Sequence, residues 1–168
     1  MIIGLAGYAR SGKNTVADLL GHKYKQVAFA DPMRTALYKQ NFLVNPVLRV
    51  RDVVDEYGWD KAKDLYPEIR QQLQILGTEV GRHMIHENVW VGIALRGMLP
   101  TDDVVITDVR FINEAVAIKK LGGEVWRVDR EGVGAVNGHI SEHALKDWEF
   151  DRIIENNGTI EDLQRALA

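Results

Sequence analysis

The sequence predicts a three-layer α/β/α fold around a central, mainly parallel sheet. Short apolar runs rich in β-branched residues alternate along the chain with segments of helical periodicity, which is the pattern of strands joined by crossover helices. Most of these runs are continuously apolar, as expected of strands that helices cover on both faces. A glycine-rich loop joins the first run to the first helical segment, and phosphate groups are commonly bound at such a junction.

Five strands are predicted from the apolar runs, at Ile2–Ala6, Gln26–Ala30, Val104–Thr107, Glu124–Val128 and Arg152–Glu155. Helices are predicted over Lys13–Tyr24 and Ile69–Met84, where apolar residues recur every three or four positions. A third helix is predicted to end at Gly122, and Thr159 begins a capping box that opens the last helix.

Length and composition indicate one domain, spanning 1–168, without nucleic-acid or membrane partners. The chain has 168 residues, of which 46% are hydrophobic, and a net charge of -3 that provides no positive field for nucleic acid. It has no cysteine, so disulfides and thiolate metal sites are excluded. No run approaches the roughly 20 apolar residues of a membrane span, and Met1–Ala6 lacks the features of a signal peptide. A cytoplasmic location is expected.

The loop from Gly7 to Thr15 has the pattern of a phosphate-binding loop, G-x-x-x-x-G-K. Such a loop turns successive N–H groups toward a triphosphate while its lysine reaches the terminal phosphates. We therefore predict an ATP site and a fold of the P-loop nucleoside triphosphate hydrolase class, the alternative being an ordinary glycine turn. Asn14 stands where a hydroxyl usually binds Mg²⁺, so Thr15 or a water is expected to do so. The predicted ATP-binding residues of the loop are Gly7, Arg10, Ser11, Gly12, Lys13, Asn14 and Thr15.

Charged residues follow two of the predicted strands, at the edge where open α/β sheets bind ligands. Asp31 and Arg34 follow the second strand and are predicted to contact the substrate. Asp108, after the third strand, is predicted to organise Mg²⁺, and Arg110 to hold an acceptor phosphate through two hydrogen bonds. The alternatives are that Asp31 caps a helix ahead of Pro32 and that Asp108 and Arg110 form a surface pair.

Two segments fit the strand–helix alternation poorly. Residues 129–148 contain several glycines and histidines, and Arg127 and Arg130 flank their start; this is typical of a mobile lid that brings positive charge to the reacting phosphates and excludes water. Residues 39–66 form a long segment between strands without a consistent helix or strand pattern. Binding loops and plain surface loops are both compatible with such segments. Arg70, near the start of the second helix, is a further candidate for binding an acceptor phosphate.

The number of separate cations favours phosphoryl transfer over passive nucleotide binding, because transfer depends on positioning and on neutralising charge. The sequence shows no clear general base, and a phosphate monoester needs none because it is already largely dianionic. A kinase with a phosphorylated acceptor is therefore predicted; the alternative from another class is an ATP-binding sensor. His83, His86, His139 and His143 are closely spaced, but without cysteine or an H-E-x-x-H order we expect polar contacts and not zinc.

Several motifs together resemble the bacteriophage deoxynucleoside monophosphate kinases. They span nearly the whole chain and comprise Ile3–Ala17, Ala28–Arg34, Leu76–Glu79, Thr107–Glu114, Ile140–Glu142 and Ile154–Thr159. The layout is also similar to animal-type phosphomevalonate kinase and, more distantly, to dephospho-coenzyme A kinase, which makes another phosphorylated metabolite the alternative acceptor. Ala30-Asp31-Pro32 and the Leu-Gly-Thr-Glu segment favour the phage family.

The resemblance implies an acceptor-binding insertion over about 32–98 and a lid over 127–148. It implies ATP as donor, Mg²⁺ as cofactor, a deoxynucleoside monophosphate as acceptor, and the cytoplasm of an infected bacterial host as location; a homodimer is compatible with it. The implied catalytic residues are Lys13, Arg110, Arg127 and Arg130. The implied acceptor-binding residues are Asp31, Arg34, Arg70, Arg110 and Glu142, while Asn157 and Gly158 are expected near the adenine.

Overall fold

A parallel sheet lies at the centre of the first of two units, which comprises Met1–Phe29 and Leu95–Ala168 and is called the sheet unit here. The computed structural model describes residues 1–135 and 143–167. The strands are β1 (Ile2–Ala6), β2 (Lys25–Val27), β3 (Val104–Val109), β4 (Glu124–Asp129) and β5 (Arg152–Glu155). They pair in the order β2-β3-β1-β4-β5, and every pairing is parallel. The glycine-rich loop that is predicted to bind phosphate therefore leaves the central strand, at the edge where parallel strands end.

Helices cover both faces of this sheet. In chain order the helices of the described residues are α1 (Lys13–Leu19), α2 (Asp31–Gln40), α3 (Val50–Leu65), α4 (Pro67–Gln74), α5 (Val89–Ala94), α6 (Ile112–Lys120) and α7 (Ile160–Leu167), with a π-helix (Ile75–Ile85) between α4 and α5. Leu5 of β1 packs in one core cluster with Val16 of α1 and Leu163 of α7. Ile3, two residues before Leu5 in β1, belongs to the same cluster.

Gly4 lies between Ile3 and Leu5 in β1. Because side chain directions alternate along a strand, its Cα–Cβ direction points to the opposite face of the sheet. A Cβ atom at Gly4 would lie 2.5 Å from Cδ1 of Ile118 on α6. Helices α1 and α7 thus lie on one face and α6 on the other. The predicted α/β/α layering and parallel sheet are confirmed.

The second unit, Ala30–Ala94, is helical and is called the helical unit. Its core joins Leu37 of α2, Val50 and Val53 of α3, and Ile69 of α4, all of which are almost completely buried. The indole nitrogen of Trp90 donates a hydrogen bond to the main-chain oxygen of Gly77 in the π-helix, at 2.8 Å. The segment predicted as an acceptor-binding insertion, 32–98, overlaps this unit, and its role stays a prediction.

Several element ends differ from the predictions for identifiable reasons. Helix α1 ends at Leu19 and not at Tyr24, because Gly21 takes a left-handed φ of 81° that the helix cannot accommodate. Strand β2 ends at Val27 and not at Ala30. The N–H of Phe29 does not continue the strand pairing, because it donates a hydrogen bond to the side-chain Oδ1 of Asp108 at 2.7 Å.

Two further segments were predicted incompletely. The single helix predicted over Ile69–Met84 is an α-helix to Gln74 and a π-helix from Ile75 onward. Residues 39–66 are mostly helical, with α3 interrupted at Gly58, where φ is 71°. Within the described residues, no helix is long and apolar enough to cross a membrane.

Candidate active site

The loop after β1, which is predicted to bind phosphate, contains two glycines that their surroundings require. Gly7 has a φ of 135°, and a Cβ atom there would lie 2.4 Å from the main-chain oxygen of Val128. Gly12 has a φ of 102°, and its Cβ atom would lie 2.1 Å from the side-chain nitrogen of Asn156. L-residues rarely adopt such φ values, and neither position has room for a side chain.

Lys13 lies over this loop. Its ammonium donates hydrogen bonds to the main-chain oxygens of Gly7, at 2.8 Å, and Tyr8, at 2.7 Å. Ser11 is only 1% exposed, and its hydroxyl has no hydrogen-bond partner among the described residues. Buried polar atoms are nearly always paired, so a hydroxyl left unpaired inside a glycine cradle fits the binding of a phosphate oxygen. The residues present therefore fit the predicted ATP.

Asn156, which sequence reasoning missed, is hydrogen-bonded to the loop. Its side-chain nitrogen donates to the main-chain oxygen of Ser11, and its main-chain N–H donates to the oxygen of Asp129 at the end of β4, both at 2.8 Å. Its neighbour Asn157, which is predicted to lie near the adenine, accepts a 2.7 Å hydrogen bond from the N–H of Glu131. A Cβ atom at Gly158 would lie 2.5 Å from Oδ2 of Asp162.

The predicted magnesium ligands lie on two elements of the sheet unit. Thr15 is half-buried in the first turn of α1, and Asp108 is half-buried within β3. Among the described residues, no group of three or more acidic, histidine or cysteine side chains could hold a metal ion. Mg²⁺ at phosphate sites commonly takes only one or two protein carboxylates besides waters and phosphates. The oxygen donors of Thr15 and Asp108 are of the type that Mg²⁺ prefers, but Oδ1 of Asp108 accepts the N–H of Phe29, and their role as ligands stays a prediction. His139, one of the histidines considered for zinc, lies outside the described residues.

A cavity of about 140 Å³ connects the start of the loop with Arg110 and Arg127. Its lining comprises Ala6, Gly7, Tyr8, Val109, Arg110, Arg127, Leu145, Lys146 and Phe150. The structure thus brings together three features that sequence reasoning had placed separately: the glycine loop, the arginine after β3 and the arginine on β4. Arg130 follows β4 and is exposed.

Both arginines of this cavity are held by neighbours. The Nε of Arg127 donates to Oδ1 of Asp129 at 2.7 Å, and its guanidinium carbon lies 5.6 Å from the centre of the Phe150 ring, within the range of a cation–π contact. The main-chain N–H groups of Arg110 and Phe111 donate to Oε2 of Glu114, at 2.7 and 3.0 Å. Glu114 is 2% exposed, so it fixes the turn from which Arg110 extends.

In the helical unit, Asp31 and Arg34 line a second cavity. Asp31 is the first residue of α2, where Ala30 is the N-cap; its Oδ1 lies 3.2 Å from a guanidinium nitrogen of Arg34. The Nε of Arg34 is buried without a hydrogen-bond partner among the described residues. The cavity has a volume of about 320 Å³ and is lined by Asp31, Arg34, Thr35, Tyr38, Lys39 and Trp59.

Arg70 lies in the same unit and pairs with Asp64 at 2.9 Å. A hydrogen bond from Lys63 lowers the pKa of the Asp60 carboxyl, and the charges of Arg34 and Arg70 lower it further. Both arginines therefore contribute positive potential at Asp60. Glu142, the remaining predicted acceptor-binding residue, lies outside the described residues.

Comparison with known proteins identifies the family. A model of the deoxynucleotide monophosphate kinase family matches residues 52–167. The chain belongs to this family. It is 33% identical to a protein of Acanthamoeba polyphaga mimivirus named as a deoxynucleotide monophosphate kinase, over 99% of this chain and 94% of that protein.

Two phage proteins are also similar. The deoxynucleoside-5'-monophosphate kinase of Escherichia phage T5 is 29% identical over 71% of this chain and 72% of its own length. The deoxynucleotide monophosphate kinase of Escherichia phage RB69 is 34% identical over 59% of this chain and 43% of its own length. The predicted family and enzyme class are confirmed: the chain is a deoxynucleoside monophosphate kinase.

Proposed function

We propose that the kinase transfers the γ-phosphoryl group of ATP in line to the phosphate of a deoxynucleoside monophosphate, giving the diphosphate and ADP. The observation that carries this proposal is the cavity shared by the glycine loop, Arg110 and Arg127. A cradle for one phosphate chain and two guanidinium groups open onto the same space. Neutralisation of charge on the transferring group is what phosphoryl transfer chiefly requires.

Each residue has a definite task in this proposal. The N–H groups from Gly7 to Gly12 bind the donor phosphates, and Lys13 exchanges its hydrogen bonds with loop carbonyls for bonds with the terminal phosphates. Arg110 binds the acceptor phosphate through its planar fork. Arg127 stabilises charge on the transferred group. No proton need be removed from the acceptor, because its phosphate is largely dianionic at neutral pH.

Mg²⁺ would be held by Thr15 and Asp108, directly or through water, and would neutralise charge on the donor phosphates when bound. We further propose that Asp31, Arg34 and Arg70 contact the acceptor and that Arg130 acts in a lid over 127–148. Asn157 and Gly158 are assigned to the adenine, and Glu142 to the acceptor. Deoxynucleotides are the expected partners in the cytoplasm of an infected bacterial host.

Two other functions are tested by the same experiment. A kinase of another phosphorylated metabolite would use the same cavity, because the cavity's cations recognise only the phosphate group of the acceptor. A sensor would bind ATP without transferring phosphate, but a single nucleotide does not require the separate cations of both cavities.

An acceptor panel distinguishes these functions. ADP production from ATP and Mg²⁺ is measured with each deoxynucleoside monophosphate, each ribonucleoside monophosphate, phosphomevalonate and dephospho-coenzyme A. We expect production to rise with at least one deoxynucleoside monophosphate. ATP binding with no rise for any nucleoside monophosphate would contradict the proposal, and a rise only with another metabolite would favour the alternative acceptor.

A further inference from the structure

The cavity beside the glycine loop carries more positive charge than the two arginines assigned to it. Lys146 also lines it. None of the described lining residues is a carboxylate, and the ammonium of Lys13 contacts the carbonyls of Gly7 and Tyr8 at its margin. Cations placed together in a confined space repel each other and favour binding of a multiply charged anion.

The segment that carries Lys146 is held against the sheet. The N–H of Lys146 donates to the oxygen of His143, and that of Trp148 to the oxygen of Leu145, at 3.1 and 3.2 Å. Beyond these turns, Asp151 anchors the segment: its N–H donates to the oxygen of Val125 at 3.0 Å.

The carboxylate of Asp151 strengthens this anchor. It accepts hydrogen bonds from the N–H of Val125, at 2.8 Å, and from Lys119, at 2.6 Å. Phe150, immediately before it, lines the cavity and packs against the Arg127 guanidinium. Lys146 therefore lies at the cavity on a hydrogen-bonded turn whose C-terminal end is fixed to β4.

We infer that Lys146 is a further phosphate-binding residue of this kinase, which binds phosphate oxygens in the cavity together with Arg110 and Arg127. This inference rests on the proposed function for the phosphoryl-transfer step. It adds Lys146, from the segment 143–148, to the phosphate-binding residues proposed above. Lysine suits this position because its compact ammonium on a flexible stem can follow a phosphate group as it moves between donor and acceptor.

The absence of cysteine from the chain permits a direct test. In a Lys146→Cys variant the introduced thiol is the only one, and alkylation with 2-bromoethylamine restores a side chain with an ammonium group, whereas iodoacetamide adds a neutral group of similar size. Lys120→Cys, at the exposed end of α6, is the matched control and is treated in the same way. Circular dichroism verifies folding of every variant.

We expect Lys146→Cys to lower kcat/KM by roughly 10- to 100-fold, as for the loss of a charged hydrogen bond. Bromoethylamine should restore most of the activity and iodoacetamide none, while Lys120→Cys should stay at wild-type activity throughout. Inorganic tripolyphosphate should slow alkylation of the thiol at position 146 but not of the thiol at position 120. The separate KM values for ATP and acceptor show which phosphate Lys146 binds.

Full activity of Lys146→Cys, or equal recovery with both reagents, would overturn the inference while leaving the proposed function intact. If the wild-type chain transfers no phosphoryl group to any deoxynucleoside monophosphate, the proposed function fails. The alkylation experiment with tripolyphosphate then decides the inference by itself. If tripolyphosphate does not slow alkylation of the thiol at position 146, no phosphate is bound beside that position.

Discussion

The side-chain nitrogen of Asn156 lies 2.8 Å from the main-chain oxygen of Ser11, to which it donates a hydrogen bond. The two residues are 145 positions apart in the chain. This bond connects the end of β5 to the middle of the glycine loop, and Gly12 leaves the space that the amide occupies. The shape of the glycine loop therefore depends on a residue that is distant from it in the sequence.

Replacing Asn156 with aspartate tests this relationship with almost no change of shape. Asn156→Asp removes the donor and sets a carboxylate against a carbonyl oxygen, so the loop loses its support. We expect ATP to bind about 10- to 100-fold more weakly, as for one lost hydrogen bond with an unpaired buried group. Isothermal titration with ATP measures the change.

Gln164→Ala, on an exposed position of α7, is the control for the loss of an amide. It should bind ATP with wild-type affinity. Wild-type affinity in Asn156→Asp as well would show that the loop keeps its shape without the bond to Ser11.

Gly12→Ala should damage the loop for two separate reasons. The φ of 102° is unfavourable for alanine, and the added Cβ atom would lie 2.1 Å from the Asn156 amide. The left-handed conformation alone costs about 1–2 kcal/mol, so ATP affinity should fall by about tenfold or more. Gly12→Ala/Asn156→Ala removes the clash but keeps the strain and also loses the hydrogen bond to Ser11, so it should bind ATP no more tightly than Asn156→Ala alone.

Gly92→Ala is the control for this substitution, because a Cβ atom at Gly92 has no neighbour within 4 Å. Gly92 lies in α5, where alanine is favoured over glycine by about 1 kcal/mol. ATP affinity should therefore be unchanged and thermal stability equal or higher. A Gly12→Ala variant with normal ATP affinity would contradict the described loop geometry.

Arg110→Ala and Arg127→Ala should separate binding from transfer. Each removes a guanidinium from the cavity, and loss of one charge-stabilising group typically lowers kcat by about 10²- to 10³-fold. ATP affinity should change little, since the loop and Lys13 remain. Arg165→Ala, whose side chain is 78% exposed, should keep wild-type turnover. Steady-state kinetics with parallel ATP titrations measure both quantities; unchanged turnover in both cavity variants would remove them from the mechanism.

Asp151 should make stability depend on pH. Burial raises the pKa of its carboxyl, but the hydrogen bonds from Lys119 and the Val125 N–H outweigh burial and leave the pKa below its ordinary value of 3.8. A carboxyl whose pKa is lower in the folded state stabilises the fold above the unfolded pKa, and this stabilisation is lost as pH falls through the folded pKa.

Asp151→Ala should therefore lower the free energy of unfolding by about 1–3 kcal/mol at pH 7, because the N–H of the fully buried Val125 loses its acceptor. The difference from wild type should shrink at pH 3. Urea unfolding at both pH values measures it, with the exposed Asp147→Ala as the control that changes stability little. An equal difference at both pH values would contradict the ion pair with Lys119.

The sheet and the glycine loop could be predicted because their signals are local. Apolar runs such as Ile2–Ala6 define buried strands, and G-x-x-x-x-G-K after a strand specifies a backbone shape that few other sequences require. Arg110 and Arg127 could be proposed from their positions near strand ends. The family resemblance then named the acceptor, which spacing alone does not reveal.

The parts that were missed depend on contacts between distant residues. Asn156 supports Ser11, and Lys146 joins Arg110, only after the sheet has brought them together. The π-helix escaped prediction because apolar residues every three or four positions do not distinguish it from an α-helix. Residues 39–66 looked irregular because Gly58 interrupts α3 and partly buried aromatic side chains obscure its apolar face.

The fate of the γ-phosphoryl group tests the central claim most directly. ATP labelled in its γ-phosphate is incubated with Mg²⁺, the kinase and each deoxynucleoside monophosphate, and the labelled products are separated by chromatography. We predict label in the β-phosphate of a deoxynucleoside diphosphate, in equal amount to the ADP formed, and a reduction of about 10²-fold or more in Arg110→Ala. Label only in inorganic phosphate, or none transferred by a chain that binds ATP, would contradict it.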